Sequence, residues 1–405
     1  MDCPRRILAN ARFLTIFLGL GLTASEAGAQ TCTQTVSPGA SLSSVVSSAA
    51  AGAVVCLNSG SYGSVTFSGI TKNPRVTLRS VSGRTATVRP TFQSGTNGLT
   101  LSDLTITGAD FSGNTTRNIT IQNSTFTGHV VFNSLANSNV LLDNNTHNNI
   151  EGGGQFSAPA RIHLSYTSGT HSGVTIQNSV LDGGSSDGVQ AGTGVNILNN
   201  VFSNIREGSC GDCHTDAIQL LTAAGSVIRG NYIHHVATAI VAFDGVERAT
   251  IENNVIDTAG RPWGIELYAD EGSVVRHNTL VYRASCDYSQ PCGKIALDRK
   301  AADPAGTGTI VVDNIATQIT TANGSTYAER HHNLVRTGAV SGDITGSPTY
   351  VGGAIPTTYA GHELTAASAG KGDASSPAGS DLGIQIGGST PQPPPAAPTN
   401  VKITS

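Results

Sequence analysis

The chain has 405 residues, of which 48 are glycine, and only 12% are charged and 5% aromatic, with a formal net charge of −4 at pH 7. Globular domains usually carry about 25% charged residues, so this composition excludes a coiled coil, a nucleic-acid binder with a basic surface and a charge-driven disordered chain. Gly, Ser, Thr and Asn are weak helix formers whereas Val and Ile favour strands, so we expect a mostly β protein in one elongated domain.

The N-terminal residues have the pattern of a secretory signal. Arg5, Arg6 and Arg12 precede an apolar run over residues 13–22, and Ala27-Gly28-Ala29 fits a cleavage site between small residues. A membrane anchor needs about 20 apolar residues, roughly twice the length of this run. We therefore expect residues 1–29 to be a signal peptide, the mature chain to be secreted or periplasmic, and no segment to remain in a membrane.

Six cysteines follow the signal, and an even number in an exported protein indicates disulfides. Cys210-Gly211-Asp212-Cys213 also has the spacing of half a zinc site or of a redox pair, but no second pair stands at ligand spacing. Proximity in the sequence predicts the disulfides Cys32–Cys56, Cys210–Cys213 and Cys286–Cys292.

A short sequence pattern recurs along the mature chain. It has an Ile, Val or Leu, here called the anchor, near a β-branched residue. Asn or Asp commonly follows two residues later, and Asn often comes next. Successive anchors are 20–24 residues apart, or 31–36 where a loop is inserted. A period this short cannot close its own core, so each coil must stack on the next in a parallel β-solenoid, with the repeated Asn forming a structural amide ladder. The anchors are Leu101, Ile121, Leu142, Ile176, Ile197, Ile228, Ile251, Val275 and Val311.

The two ends of such a stack expose strand edges and core, and therefore need caps. Residues 41–50 carry apolar residues at helical spacing, which predicts a short N-terminal cap helix. Residues 347–383 leave the repeat and predict an irregular C-terminal cap. We expect the solenoid with its caps to span residues 30–388, followed by a Pro-rich tail or linker over 389–405.

Several segments carry a family resemblance: Pro38-Gly39-Ala40-Ser41-Leu42, Gly60-Ser61-Tyr62-Gly63, the Asn turns, and a closing pattern of Tyr350, Leu364, Ser368 and Asp381-Leu382-Gly383. Together they resemble the pectin-lyase-like right-handed parallel β-helix superfamily over residues 32–388. The resemblance implies an all-β right-handed helix that acts on or binds a polysaccharide. Its members include polysaccharide lyases, glycoside hydrolases, uronan epimerases, esterases and adhesins, so the fold alone does not choose among them.

A second strand precedes the Asn pattern in the later coils, centred on Val189, Ile218, Ile240, Ile265 and Ile295. If these residues point inward, alternation turns their neighbours outward. The two Cys loops are inserted near the same region, and solenoids place insertions around a binding face. Rings, amides and titratable groups suit a sugar-binding groove. We predict a substrate-binding strip that includes Gln190, Gln219, Glu266, Tyr268, Asp298 and Lys300, with Trp263 beside it.

His214-Thr215-Asp216 comes nearest to a catalytic motif. His214 and Asp216 can supply a base and its orienting carboxylate, and Asp216 and Asp187 on adjoining coils can form a carboxylate pair. The alternative is that both aspartates only cap bends. The pattern of the pectin hydrolases is matched in part, since Gly-His-Gly and a second Asp after Asp216 are missing.

Lys294 and Arg299 add a second kind of candidate. β-Elimination from a uronic acid needs a base for the C5 proton and a cation for the carboxylate, and Lys and Arg play these roles in the lyases that the chain resembles. Solvated charge at a loop edge is the alternative reading. The leading hypothesis is a lyase with Lys294 or His214 as base and Arg299 on the uronate. An inverting hydrolase using Asp187 and Asp216, and a non-catalytic glycan-binding solenoid, are the alternatives.

No cofactor is required by the sequence, and the need for a Ca²⁺ ion is left open. The expected partner is a polysaccharide substrate, and we expect a monomer.

Overall fold

The computed structural model describes residues 31–386, except 113–114, 134–137, 153–159, 165–169, 208–213, 285 and 287–289. In that part of the chain, strands pair in parallel with strands one coil away, so the protein is a stack of β-coils. The predicted signal peptide, the Cys210–Cys213 pair and the Pro-rich tail lie outside the described residues.

Within the described residues the first sheet has 13 strands, most of which lie directly before the Asn or Asp turns. They are Gln34–Val36, Val54–Leu57, Thr71–Ser80, Asn97–Ser102, Arg117–Gln122, Ser138–Asp143, Thr170–Gln177, Thr193–Leu198, Val227–Arg229, Thr250–Glu252, Val274–Arg276, Thr309–Val312 and Tyr327–His331.

The second sheet has 22 strands in two columns, which diverge from Gly60–Phe67 and Ala86–Phe92. The proximal column follows the Asn turns and consists of Thr105–Ile106, Thr125–Phe126, Thr146–Asn148, Val180–Asp182, Val201–Ser203, Tyr232–Val236, Val255–Thr258, Thr279–Leu280, Ile315–Ala316, Leu334–Val335 and Ile344–Thr345. The distal column comes later in each coil and consists of Ala109–Phe111, Val130–Phe132, Ile162–Leu164, Val189–Ala191, Asp216–Leu220, Thr238–Ala242, Trp263–Tyr268, Lys294–Asp298 and Gln318–Thr321. A third, small sheet contains Ala223–Ala224, Val246–Glu247 and Asp270–Glu271.

The nine predicted anchors form one row inside the stack. Each pairs in register with the next, from Leu101 with Ile121 to Val275 with Val311. All nine are fully buried. The predicted solenoid and its register are therefore confirmed.

The Asn turns are held by a buried side-chain ladder. Asn254 is typical: its Nδ2 donates to Oδ1 of Asn278 at 2.9 Å and to the Ile228 carbonyl at 3.0 Å, while its Oδ1 accepts from Asn231. The preceding residue, Asn253, has φ of 55°, a left-handed conformation that Asn tolerates. The ladder satisfies the turn backbone and runs through Asn200, Asn231, Asn254, Asn278, Asn314 and Asn333.

Both caps are present. The helix Leu42–Ser48 is N-capped by Ser41 and buries Leu42 and Val46 against the first coils. At the other end, a short 3₁₀ helix, Ala360–His362, and a small apolar cluster around Leu364 and Leu382 cover the last coils.

Two of the predicted disulfides, Cys32–Cys56 and Cys286–Cys292, are formed. Across the described residues, no helix is long and apolar enough to span a membrane.

Candidate active site

The distal column positions the predicted strip. Its central residues, Val189, Ile218, Ile240, Ile265 and Ile295, pair in register and are fully buried, so they point inward as predicted. Their successors therefore point outward. This outer row contains His163, Gln190, Gln219, Val241, Glu266 and Ala296.

One end of the outer row is a chain of polar side chains. Nδ1 of His163 lies 2.6 Å from Oε1 of Gln190, and burial lowers the pKa of His163, so its neutral ring can donate this hydrogen bond. Nε2 of Gln190 donates to Asp187 at 2.9 Å and to Oε1 of Gln219 at 2.7 Å. Because Gln219 turns its oxygen toward Gln190, its Nε2 donor faces away, and this nitrogen has no partner among the described residues.

His214 and Asp216 form a hydrogen-bonded pair at the start of the next strand. Nδ1 of His214 lies 2.6 Å from Oδ2 of Asp216, whose side chain is fully buried. The backbone N–H of Asp216 donates to Oδ1 of Asp187 at 2.8 Å, which links the dyad to the amide chain. Oδ1 of Asp216 is buried and accepts no hydrogen bond from the described residues.

The titratable groups of this cluster shift one another's pKa values. Burial raises the pKa of Asp187 and of Asp216, and the charge of Asp216 raises that of Asp187 further. Burial by itself would lower the pKa of His214, but the hydrogen bond to Asp216 and the charges of Asp216 and Asp187 raise it overall. An imidazole held by a buried carboxylate in this way has a defined tautomer and can exchange a proton through Nε2.

Three rings from neighbouring parts of the stack gather around Phe243. Its centroid lies 4.9 Å from that of His214, 4.9 Å from that of Tyr268 and 5.8 Å from that of Trp263, all with edge-on geometry. The sequence reasoning omitted Phe243, although it follows Val241 by the same two residues that separate Tyr268 from Glu266. It also omitted His163, which lies one coil before Gln190.

Glu266 points outward by register, yet it is only 4% exposed. Burial raises its pKa to about 8, and the charge of Asp298 adds to this, while a hydrogen bond to Tyr268 opposes it. The pKa of Tyr268 is raised to about 12 by burial and by the charges of Glu266 and Asp298. Oε2 of Glu266 has no partner among the described residues. Glu266 is therefore a protonated carboxylic acid at neutral pH.

The predicted cations lie at the edge of this region. Lys294 begins its strand in register with Trp263 and donates to Oε1 of Gln290 at 2.6 Å. Arg299 donates from Nε to the Asn323 carbonyl at 2.7 Å and from Nη1 to the Asp303 carbonyl at 2.9 Å. The guanidinium of Arg299 thus holds a turn together.

Lys300 and Asp298 also make local contacts. Lys300 forms an ion pair with Asp244 at 2.5 Å, and both side chains are about half exposed. Asp298 pairs in register with Tyr268 and accepts from the backbone N–H of Arg299 at 2.7 Å. Asp298 thereby places negative charge beside Glu266.

Across the described residues, no group of three or more His, Cys, Asp or Glu side chains is arranged to hold a metal ion.

Residues 160–335, which include the whole of the cluster above, match the family model for the right handed beta helix region. The chain contains a right-handed parallel β-helix. The resemblance to the pectin-lyase-like superfamily is thus confirmed at the level of fold. No curated protein matches this β-helix chain.

Solved structures of polysaccharide lyases align with most of the chain. The PL6 family alginate lyase AlyGC is 14% identical, with a TM-score of 0.44, covering 82% of this chain and 56% of that one. The PL6 family polysaccharide lyase Pedsa3628 from Pseudopedobacter saltans is 11% identical, with a TM-score of 0.46, covering 82% and 99%. The pectate lyase Pel9A is 12% identical, with a TM-score of 0.35, covering 87% and 96%.

Proposed function

We propose that the protein is an exported enzyme that cleaves a uronic-acid-containing polysaccharide by β-elimination, with His214 as the base. The observation that carries the proposal is the 2.6 Å hydrogen bond from His214 to the buried Asp216, beside the rings of Phe243, Trp263 and Tyr268. Rings of this kind stack against sugar faces, and a carboxylate-held imidazole is suited to proton abstraction.

The residues divide the reaction among them. With Nδ1–H of His214 directed to Asp216, Nε2 takes the C5 proton of the uronate. The electron pair of that C–H bond forms the C4–C5 double bond, the C4–O4 bond breaks, and the hydroxyl of Tyr268 gives its proton to the leaving oxygen. The amide Nε2 of Gln219 and the ammonium of Lys294 offset the negative charge that builds up on the substrate carboxylate.

His214 suits the base role better than Lys294 does. Lys294 donates to the amide oxygen of Gln290, and no carboxylate among the described residues orients it. His214 instead has a buried carboxylate that fixes its orientation. Arg299, whose guanidinium is engaged with backbone carbonyls, is assigned to the turn rather than to the uronate.

An inverting hydrolase is the second candidate, and Glu266 favours it. A carboxyl group with a pKa of about 8 remains protonated at neutral pH and can act as a general acid, with Asp216 as the base. The pair first considered, Asp187 with Asp216, is less suitable. Both oxygens of Asp187 accept internal hydrogen bonds, from Asp216 and from Gln190.

The test is a panel of uronans assayed in parallel for ultraviolet absorbance and for reducing ends, with and without a chelator. Absorbance that grows with wild type and falls by a factor of about 10²–10⁴ in His214→Ala, at an unchanged thermal midpoint, supports the lyase. His331→Ala, which removes a partly exposed histidine of the first sheet, is the matched control and should keep full activity. Reducing ends without absorbance indicate the hydrolase, and binding without either product indicates a glycan-binding solenoid.

The pH profile adds an independent check. The base must be neutral to act, and the pKa of His214 is raised above its ordinary value of 6.5. The rate should therefore rise with pH through a limb that lies above 6.5. A rate that is already maximal at pH 6 would contradict His214 as the base.

The export proposal rests on the two disulfides, since such bonds form in oxidising compartments. Expression of the full chain and of a chain lacking residues 1–29 tests it. Only the full chain should reach the medium or periplasm with its thiols oxidised.

A further inference from the structure

A cavity of about 150 Å³ lies at the C-terminal end of the stack, away from His214. Its floor is aliphatic and includes Leu280, Ile315 and Ala316, and its rim includes Tyr282, Arg336 and Tyr350. A volume of this size admits part of a sugar ring but is far larger than one water molecule needs.

Arg336 is held in place at this rim. Its guanidinium carbon lies 3.7 Å from the centre of the Tyr282 ring, and its backbone N–H bonds the carbonyls of Ala316 and Thr317. Its one side-chain hydrogen bond among the described residues is a long contact of 3.5 Å from Nη1 to Oγ of Ser347. No acidic group among those residues pairs with it. Stacking on Tyr282 fixes the plane of the Arg336 guanidinium and leaves its N–H donors available to a carboxylate.

Tyr350 adds a second polar group. Burial raises the pKa of its hydroxyl, so the group remains a neutral donor. Among the described residues this hydroxyl makes no hydrogen bond. A fixed cation, a phenol and an aliphatic floor together match a ligand that carries one carboxylate, hydroxyl groups and an apolar ring face.

The cavity is also close to the distal column. The strand Leu334–Val335 pairs with Ile315–Ala316, and Arg336 follows it directly. Gln318, two residues beyond Ala316, pairs in register with Lys294. Arg336 thus lies about two coils, or roughly 10 Å, beyond the coil of Lys294, which is about two sugar units.

We propose that this cavity, with Arg336 as its carboxylate-binding residue, is a second binding site for the acidic polysaccharide, separate from the site at His214. The identity of the ligand rests on the proposed function. The existence of the second site does not depend on catalysis at His214; it depends only on binding of an acidic polysaccharide. The second site would hold the carboxylate edge of one uronate unit of a long chain and thereby retain the polymer near the strip.

Affinity electrophoresis in gels that contain alginate, polygalacturonate or hyaluronan tests this proposal, with hydroxyethyl cellulose as the neutral gel. Wild type and His214→Ala are each combined with Arg336→Ala. Arg248→Ala, which removes the same charge from an exposed arginine paired with Glu247, is the matched control. Thermal midpoints confirm folding, and Arg336→Lys retains the charge without the planar fork.

We expect retardation of wild type in at least one acidic gel, an apparent dissociation constant about tenfold weaker in Arg336→Ala, and an intermediate value in Arg336→Lys. Arg248→Ala should migrate as wild type, allowing for its charge. Equal retardation of Arg336→Ala and Arg248→Ala overturns the proposal, as does free migration of wild type in all three acidic gels. If retardation depends on Arg336 while no uronan is cleaved, the second site stands and the proposed function fails.

Discussion

Two rows of side-chain amides run along this β-helix, and they differ in how completely their hydrogen bonds are satisfied. In the Asn ladder, Asn254 has both amide hydrogens and its oxygen engaged with protein groups and is fully buried. In the outer row, Gln190 is equally engaged, but the run of amides ends at Gln219, whose Nε2 has no partner among the described residues. The first row is closed and the second is open at one end.

The difference separates structural amides from functional ones better than residue type does. A closed ladder has no hydrogen-bonding capacity left for a ligand, and its loss exposes unsatisfied neighbours. An open row has its last donor oriented by the preceding residues and available to a substrate. Both rows arise because coils stack with equivalent residues one above the other. They differ in whether the last amide of the row has a protein partner.

The ladder should give the largest effect. Asn254→Ala removes an acceptor for Asn231 and a donor to Ile228 and Asn278, so we expect unfolding to become easier by about 3 kcal/mol. Asn196→Ala, whose amide makes only a 3.4 Å bond to Thr175, is the control and should change stability by less than about 0.5 kcal/mol. Denaturant unfolding measures both. Similar midpoints for the two variants would show that the ladder is not a stabilising element.

The open end of the outer row should give the opposite result. Gln219→Ala removes one of the two acceptors of Gln190, so we expect it to lower the free energy of unfolding by no more than about 1 kcal/mol. Uronan turnover should fall about tenfold, because the Nε2 donor of Gln219 is left for the substrate. Gln177→Ala on the first sheet, whose amide donates to Asp143, is the control and should keep wild-type turnover. A stability loss in Gln219→Ala like that of Asn254→Ala would remove the distinction between the rows.

A third stacked position sharpens the comparison, because it is buried and yet unsatisfied. His147 stacks on Phe126 with centroids 4.3 Å apart, and neither ring nitrogen has a partner among the described residues. Burial lowers its pKa from 6.5 to about 3. The unfolded chain therefore binds the proton more readily, and the stability present above pH 6.5 is lost as the pH falls toward 3.

His147→Phe should weaken this acid destabilisation and raise the thermal midpoint at pH 5 more than at pH 8. Midpoints of both proteins across this range provide the measurement. An equal gain at the two pH values would mean that packing, rather than titration, distinguishes the variant.

Glu266 should show a pH dependence of stability of comparable size and the reverse sign. Its pKa is raised from 4.5 to about 8, so the folded chain binds the proton more tightly. The stability that it contributes is full below pH 4.5 and is lost as the pH rises through 8. Glu266→Gln should flatten the decline of the thermal midpoint between pH 6 and pH 9. An unchanged slope would argue against the raised pKa.

The fold was predictable from the sequence because one repeated pattern specifies every coil. The anchors, the distal-strand register and the cap helix follow from periodicity alone, and all three agree with the structure. The recurrence of Asn at each turn indicates that this residue has a structural role. Because the coils share one pattern, the register of one coil predicts the register of the next.

The site was less predictable, because function depends on departures from the repeat. His214 precedes its strand, and its contact with Phe243 joins two coils, which strand alternation does not describe. Arg299 was predicted to pair with the uronate and Lys300 to bind substrate; in the structure Arg299 contacts a turn and Lys300 forms an ion pair with Asp244. Burial of Glu266 was also not foreseeable, since alternation turns it outward and only neighbouring side chains exclude water from it.

The most direct test of the account is a crystal structure of His214→Ala protein with a bound uronate oligosaccharide. We expect the sugar chain on the distal column, with a carboxylate or hydroxyl oxygen within hydrogen-bonding distance of Nε2 of Gln219 and a ring face against Phe243, Trp263 or Tyr268. An oligosaccharide bound to another face of the β-helix, with Gln219 still directed to solvent, would contradict the assignment of the open amide row as the functional one.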